Sequence, residues 1–175
     1  SFKALNEKWD DFLVDIFLKE RERVSDAIKT SVEKSRKKIS PIEVKSKIGY
    51  LQENMGFYTD LNAGQMLRFV AELNGIFGST ADDRIQSALE SVGLANEARK
   101  KIGAYSRGMR QRLGLAELLI KDSKVAFLDE PTLGLDPDAT NRMMDLIEGL
   151  CRDKNMTILL SSHLLHQVQK ICTRV

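Results

Sequence analysis

Residues 105–136 constrain this chain more than any other stretch. Tyr105-Ser106-Arg107-Gly108-Met109 opens a helix that runs to about Ile120. An apolar strand follows, Val125-Ala126-Phe127-Leu128, and ends in Asp129-Glu130-Pro131. Then comes Leu133-Gly134-Leu135-Asp136, with Pro137 at the first position of the next helix, where proline is favoured. A Ser-x-Gly helix start can hold a phosphate, because its free N–H groups and the helix dipole favour an anion. A buried strand ending in paired carboxylates can hold a metal ion and a water. No glycine in this sequence is followed by lysine, so it contains no G-x-x-x-x-G-K-[ST] phosphate loop.

The rest of the chain supplies a scaffold for these residues. Phe2, Leu5, Trp9, Phe12 and Ile16 recur at spacings of three and four, and Val24, Ile28 and Val32 continue them. Residues 1–38 therefore read as an N-terminal amphipathic helix or helical pair, with a basic end at Lys34, Arg36, Lys37 and Lys38. From Pro41 the character changes. Strands are expected at 47–51, 124–129 and 156–161, separated by helices, which implies a parallel sheet covered on both faces. Between the first two strands, residues 60–103 read as a helical insertion. Asn62 caps its first helix, with Leu61 and Met66 placed as a staple and Met66, Val70, Leu73 and Phe77 as the buried stripe. Thr80 is expected to cap the second helix and Gly93 to end it.

Each candidate residue also has a plainer reading. Ser106 could cap an ordinary helix, with Arg107 and Arg110 merely solvated. Yet cations in a first turn oppose the dipole, and a bound polyphosphate would relieve that conflict. Gly108 permits close backbone approach. Asp129 stands where a carboxylate on the Mg²⁺ side stands in nucleotide-hydrolysing folds, and Glu130 can polarise an attacking water as general base. The same pair could simply end a strand before Pro131. His163, just past the third strand, could hold the water or a γ-phosphate, or could be a helix-cap histidine. Asp136 caps a helix in either case.

Composition narrows the classes further. The chain has 175 residues, 42% of them hydrophobic, enough for one packed domain. Its longest apolar runs are a few residues, too short for a membrane helix, and Ser1-Phe2-Lys3 shows no apolar signal region. A cytoplasmic location is expected. Net charge is +2, too small to suggest a nucleic-acid partner. Cys151 and Cys172 lack metal-ligand spacing and read as reduced, packed thiols.

Taken together, residues 39–175 resemble the nucleotide-binding domain of an ABC transporter, in particular the class driving ABC-2-type exporters. Tyr105 to Met109 matches that class's signature, Val125 to Glu130 matches Walker B with its glutamate, and Leu133 to Asp136 matches the D-loop. Ser161-Ser162-His163 matches the switch histidine. Ile48 to Glu53 matches the Q-loop strand, with Glu53 rather than Gln52 at the Q-loop position. The resemblance implies an α/β fold with the parallel sheet of P-loop NTPases and a helical subdomain, here incomplete and preceded by the N-terminal helix. It implies ATP and Mg²⁺ as cofactors. Glu130 and His163 would be catalytic, Asp129 and Glu53 would lie on the metal side, and Ser106, Arg107, Gly108 and Asp136 would contact nucleotide. It further implies a transmembrane permease and a second ABC ATPase domain as partners, at the inner face of the cell membrane. The chain departs from the family where Walker A should lie: the residues before Ile48 read as helix.

Overall fold

The computed structural model describes residues 41–53, 55–163, 168, 169 and 172. The helix expected over 1–38, and most of the one expected after His163, lie outside these residues. The elements in order are α1 (Pro41–Lys47), β1 (Ile48–Leu51), α2 (Ala63–Leu73), α3 (Gly78–Ser91), α4 (Arg107–Ile120), β2 (Val125–Asp129), α5 (Pro137–Lys154) and β3 (Thr157–Ser161). Two short 3₁₀ turns, Ala95–Glu97 and Ile102–Ala104, lie between α3 and α4.

The three strands form one parallel sheet in the order β1-β2-β3, so the chain leaves the sheet and returns to it twice. Gly49, Leu51, Ala126 and Leu128 are buried, and α4 packs on β1. The fit there is close: a Cβ on Gly114 of α4 would meet Leu51 Cδ1 at 2.3 Å and Met55 Sδ at 2.4 Å. In register across the sheet, Tyr50 pairs with Phe127 and Phe127 with Leu159. That row is less covered: Tyr50 is exposed, and Phe127 and Leu159 are half-buried.

Between β1 and α4 the chain builds a helical layer of α2 and α3. Asn62 caps α2 through a complete capping box with Gln65, as its sequence signature predicts. An isolated bridge between Asn62 and Lys101 closes the insertion at its base. The core runs from this layer into the sheet side, with Leu67, Leu94, Ile102, Leu113, Leu115 and Ile120 fully buried. Each such side chain contributes about 1.5–3 kcal/mol.

Three expectations fail locally. Leu73 and Phe77 are exposed rather than part of the buried stripe. The inner face of α2 is filled instead by Ala63, Met66, Leu67 and Ala71. Thr80 does not cap α3: Gly78, at φ +59°, turns the chain into the helix two residues earlier, with Phe77 at the cap position. Cys151 is exposed rather than packed. Gly93 does end the α3 segment, at φ +65°, a conformation that carries little cost only for glycine.

The turn at Gly93 is also tied to α4. Arg112 Nη1 donates to the carbonyls of Val92, at 3.2 Å, and Gly93, at 3.1 Å. Burial, then the nearby charge of Arg142, lowers the Arg112 pKa, so these bonds replace lost hydration. Removing them strands two carbonyls at a helix end. Arg112→Ala is expected to destabilise the fold by about 1–3 kcal/mol, the range for hydrogen bonds from a charged group. Urea denaturation checks this, and an unchanged midpoint would refute the role.

Candidate functional site

The carboxylates stand at the carboxyl ends of β2 and β3, where parallel α/β sheets bind ligands. Asp129 is the last residue of β2 and pairs in register with Ser161, the last of β3. The Ser161 hydroxyl donates to Asp129 Oδ1 at 2.7 Å, and the Tyr50 hydroxyl donates to Oδ2 at 3.3 Å. Both carboxylate oxygens are thus held. Ser161 and Tyr50 were not among the residues singled out from sequence. The signal for Ser161 was present all the same: aligning the ends of two neighbouring parallel strands puts it opposite Asp129.

Glu130 follows with φ +47°, a left-handed conformation that is uncommon for a residue with a side chain. The contacts around it hold it there. Its N–H donates to Ser161 O at 3.2 Å and to Ser161 Oγ at 3.2 Å, and its carbonyl accepts from Leu133 N at 3.1 Å. Pro131, the next side chain, is fully buried. Such a conformation costs about 1–3 kcal/mol and tends to persist where function needs it. The consequence here is the direction of the side chain: Glu130 Oε2 lies 3.0 Å from Nδ1 of the exposed His163. With its proton on Nδ1, His163 donates to the carboxylate and fixes its orientation.

The second group gathers at the start of α4. The Ser106 hydroxyl accepts from Met109 N at 3.2 Å, capping the helix as its position suggested. Arg107 pairs with Glu53, at 3.9 Å, and Arg110 donates to the Gly103 carbonyl at 3.4 Å. Gly108 receives Leu135: a Cβ there would stand 3.4 Å from Leu135 Cδ2. Asp136 caps α5, accepting from Ala139 N at 2.9 Å, and that bond holds its carboxyl below the ordinary value. The turn 130–135 therefore joins the two groups, with Glu130 at one end and Leu135 seated on the signature helix at the other.

Glu53 and Asp129, both expected on the metal side, have different neighbours: Arg107 for one, the two hydroxyls for the other. Among the described residues no three metal-ligating side chains come together. One or two carboxylates suit Mg²⁺, which takes oxygen ligands and keeps several waters or phosphate oxygens. Asp129 fits that role.

Comparison with known proteins gives the family of the chain. The family model described as ABC transporter matches residues 12–133. The uncharacterized ABC transporter ATP-binding protein YxlF of Bacillus subtilis (strain 168) is 40% identical over 128 residues, 73% of this chain and 43% of YxlF. The bacitracin transport ATP-binding protein BcrA of Bacillus licheniformis is 40% identical over 133 residues, 76% of this chain and 42% of BcrA. Among solved structures, cbiO1 from Clostridium perfringens, part of the ABC transporter complex cbiONQ, superposes with a TM-score of 0.68. It shares 26% identity, over 75% of this chain and 53% of cbiO1. The parallel sheet with helices packed against it is the α/β fold of the P-loop NTPase type. The chain belongs to the ABC transporter family. It spans about two fifths of the length of the two curated relatives.

Proposed function

We propose that this chain is part of the ATP-binding subunit of an ABC transporter, and that it serves two nucleotide sites. One observation carries the reading: Glu130, held left-handed by Ser161, presents its carboxylate to His163 beside the clamped Asp129. That is a general base with an orienting partner. In hydrolysis, Glu130 would take a proton from a water as the water oxygen bonds to the γ-phosphorus. The bond from phosphorus to the β–γ bridging oxygen then breaks, leaving ADP and phosphate. His163 would keep the accepting oxygen aimed. Asp129 would hold Mg²⁺, which when bound spreads the developing charge on the phosphate oxygens. Ser106, Arg107, Gly108 and Asp136 would face the nucleotide of a second ABC ATPase domain, completing a site whose phosphate loop that domain supplies.

A transmembrane permease is the proposed mechanical partner, at the inner face of the membrane. Among the described residues, no helix is long and apolar enough to cross a membrane, so another chain or segment would do that. The helical layer offers a surface. Tyr58 and Phe69 stack edge to face with ring centres 6.2 Å apart, Leu73 lies one turn on from Phe69, and all three are exposed together with Phe77. Exposed apolar clusters of this kind mark interaction sites. The same surface supports a second reading, a non-catalytic module that only docks to a partner, which the missing G-K dipeptide also favours.

A mixed ATPase assay separates the two. The chain is added to an ABC ATPase partner that contains a phosphate loop, and stimulation is measured with wild type and with Ser106→Arg. The first reading expects stimulation by wild type and none by the variant, which should keep its circular dichroism spectrum and melting temperature. Equal stimulation by both would make the signature a structural relic.

A further inference from the structure

The first turns of α4 carry more unpaired polarity than the proposed nucleotide contacts use. A cleft of about 440 Å³ lies between the loop after β1 and this helix. Glu53, Met55 and Gly56 line it from the loop, and Arg107, Arg110 and Gln111 line it from α4. Gln111 is 2% exposed, yet neither the oxygen nor the nitrogen of its amide has a hydrogen-bond partner. Arg107 is paired with Glu53. Arg110 has no carboxylate partner among the described residues: its Nη2 reaches the Gly103 carbonyl at 3.4 Å, and its Nε is buried with no partner. Polar atoms left in that state are costly.

These unused groups define a ligand. A primary amide with a free donor and a free acceptor matches one peptide unit, bonding its C=O and its N–H. The Nε–Nη2 edge of a guanidinium is a fork that takes both oxygens of one carboxylate. An acidic side chain together with its own backbone satisfies both. A phosphate group would fill the fork but has no donor for the amide oxygen, and a cation would be repelled by the guanidinium. The cleft also continues into an apolar surface. Gly56, on its wall, is two residues from Tyr58, at most about 7 Å of extended chain. Tyr58 stacks on Phe69, and both are exposed.

We propose that this cleft receives an acidic residue of the transmembrane partner, on a peptide segment whose neighbouring apolar side chain rests on Tyr58 and Phe69. The proposal rests on reading a permease as the partner of this chain. The carboxylate accepts from Nε and Nη2 of Arg110. The Gln111 amide turns into the cleft and bonds the adjoining peptide unit. Arg107 keeps its place at the nucleotide. Pairing is favourable here because both groups start buried and unbonded, so few bonds to water are given up.

The test titrates short blocked peptides into the full chain by calorimetry. One probe is acetyl-Gly-Leu-Ser-Glu-Ser-Gly-amide, and the other has glutamine in place of its glutamate. Wild type is expected to bind the glutamate probe about five- to tenfold more tightly, as a forked, half-buried pair should. Arg110→Lys keeps the charge but loses the fork, and is expected to cut that preference to about twofold. Gln111→Leu is expected to weaken both probes alike and to leave the urea midpoint no lower, since it removes an unpaired buried amide. Equal affinity of wild type for both probes overturns the acidic site while leaving the apolar surface as a docking face. A preference that Arg110→Lys leaves unchanged reduces the effect to general charge and refutes the fork. Unchanged affinity in Gln111→Leu refutes the part of the amide. A preference that excess pyrophosphate abolishes assigns the cleft to a nucleotide's phosphates and overturns the proposal. No binding of either probe removes the cleft and the apolar surface together, and with them the permease reading of this face.

Discussion

Presented with Mg-ATP and no partner, the 175-residue chain is expected to release no phosphate above the buffer blank. The groups proposed to act on water are in place: Glu130 lies against His163 and Asp129 is clamped by two hydroxyls. The groups that grip the β- and γ-phosphates are not, since no glycine precedes a lysine in the sequence. In P-loop enzymes the backbone donors and the lysine of that loop hold the charge that develops on transfer. Losing one such donor costs about 10²–10³ in rate. Losing several together with the lysine should place turnover below detection. The measurement is steady-state phosphate release. Turnover that Glu130→Gln abolishes would show that the chain assembles a working site without the loop.

The largest expected effect on stability comes from a residue outside the site. Burial pushes the Glu117 carboxyl in α4 from the ordinary 4.5 up to about 7, and its Oε1 has no hydrogen-bond partner. The folded value lies above the unfolded one, so the folded state binds the extra proton. Its contribution is fully present below about pH 4.5, declines as pH rises, and is lost once the pH has passed about 7. A shift of this size corresponds to about 3 kcal/mol. Glu117→Met keeps an unbranched, helix-compatible side chain and removes the charge. It should stabilise the fold by up to about 3 kcal/mol at pH 8 and change it little at pH 4. Urea unfolding at the two pH values is the check. Equal stabilisation at both would mean that packing, not ionisation, sets the effect.

The parts of the structure that were legible in sequence are those governed by local chemistry. Asn62, Ser106 and Asp136 each cap the helix their spacing announced, because a short polar side chain ahead of an apolar period has few other uses. The strands lie within a residue of expectation because β-branched and apolar runs between turn residues are hard to place elsewhere. The misreadings concern what one element does to another. Leu73 is the last residue of α2 and Phe77 lies beyond it, at the cap position of α3, so the helical period that joined them to the buried stripe does not reach them. Thr80 was a good cap residue in the wrong place, displaced by the freedom of Gly78. The clamp on Asp129 was missed because a tyrosine in β1 and a serine in β3 are ordinary until the register brings them together. The unpaired Gln111 amide has no sequence signature, since a polar residue within an amphipathic helix looks the same whether it is buried or wet.

The bridge between Asn62 and Lys101 bears on how the chain reaches this fold. With the bonds from Ile102 N to Leu61 O and from Gly103 N to Thr59 O, it ties off the helical insertion at its base. Once tied, the insertion brings the end of β1 near the start of α4, so the long stretch between the first two strands behaves as a short one. Loop-closure entropy then falls mainly on forming this knot and less on pairing the sheet. Parallel strands are slow to find one another because their contacts are distant in sequence. An insertion that closed first would act as a spacer, and the pairing of β2 with β1 would then be a nearly local event.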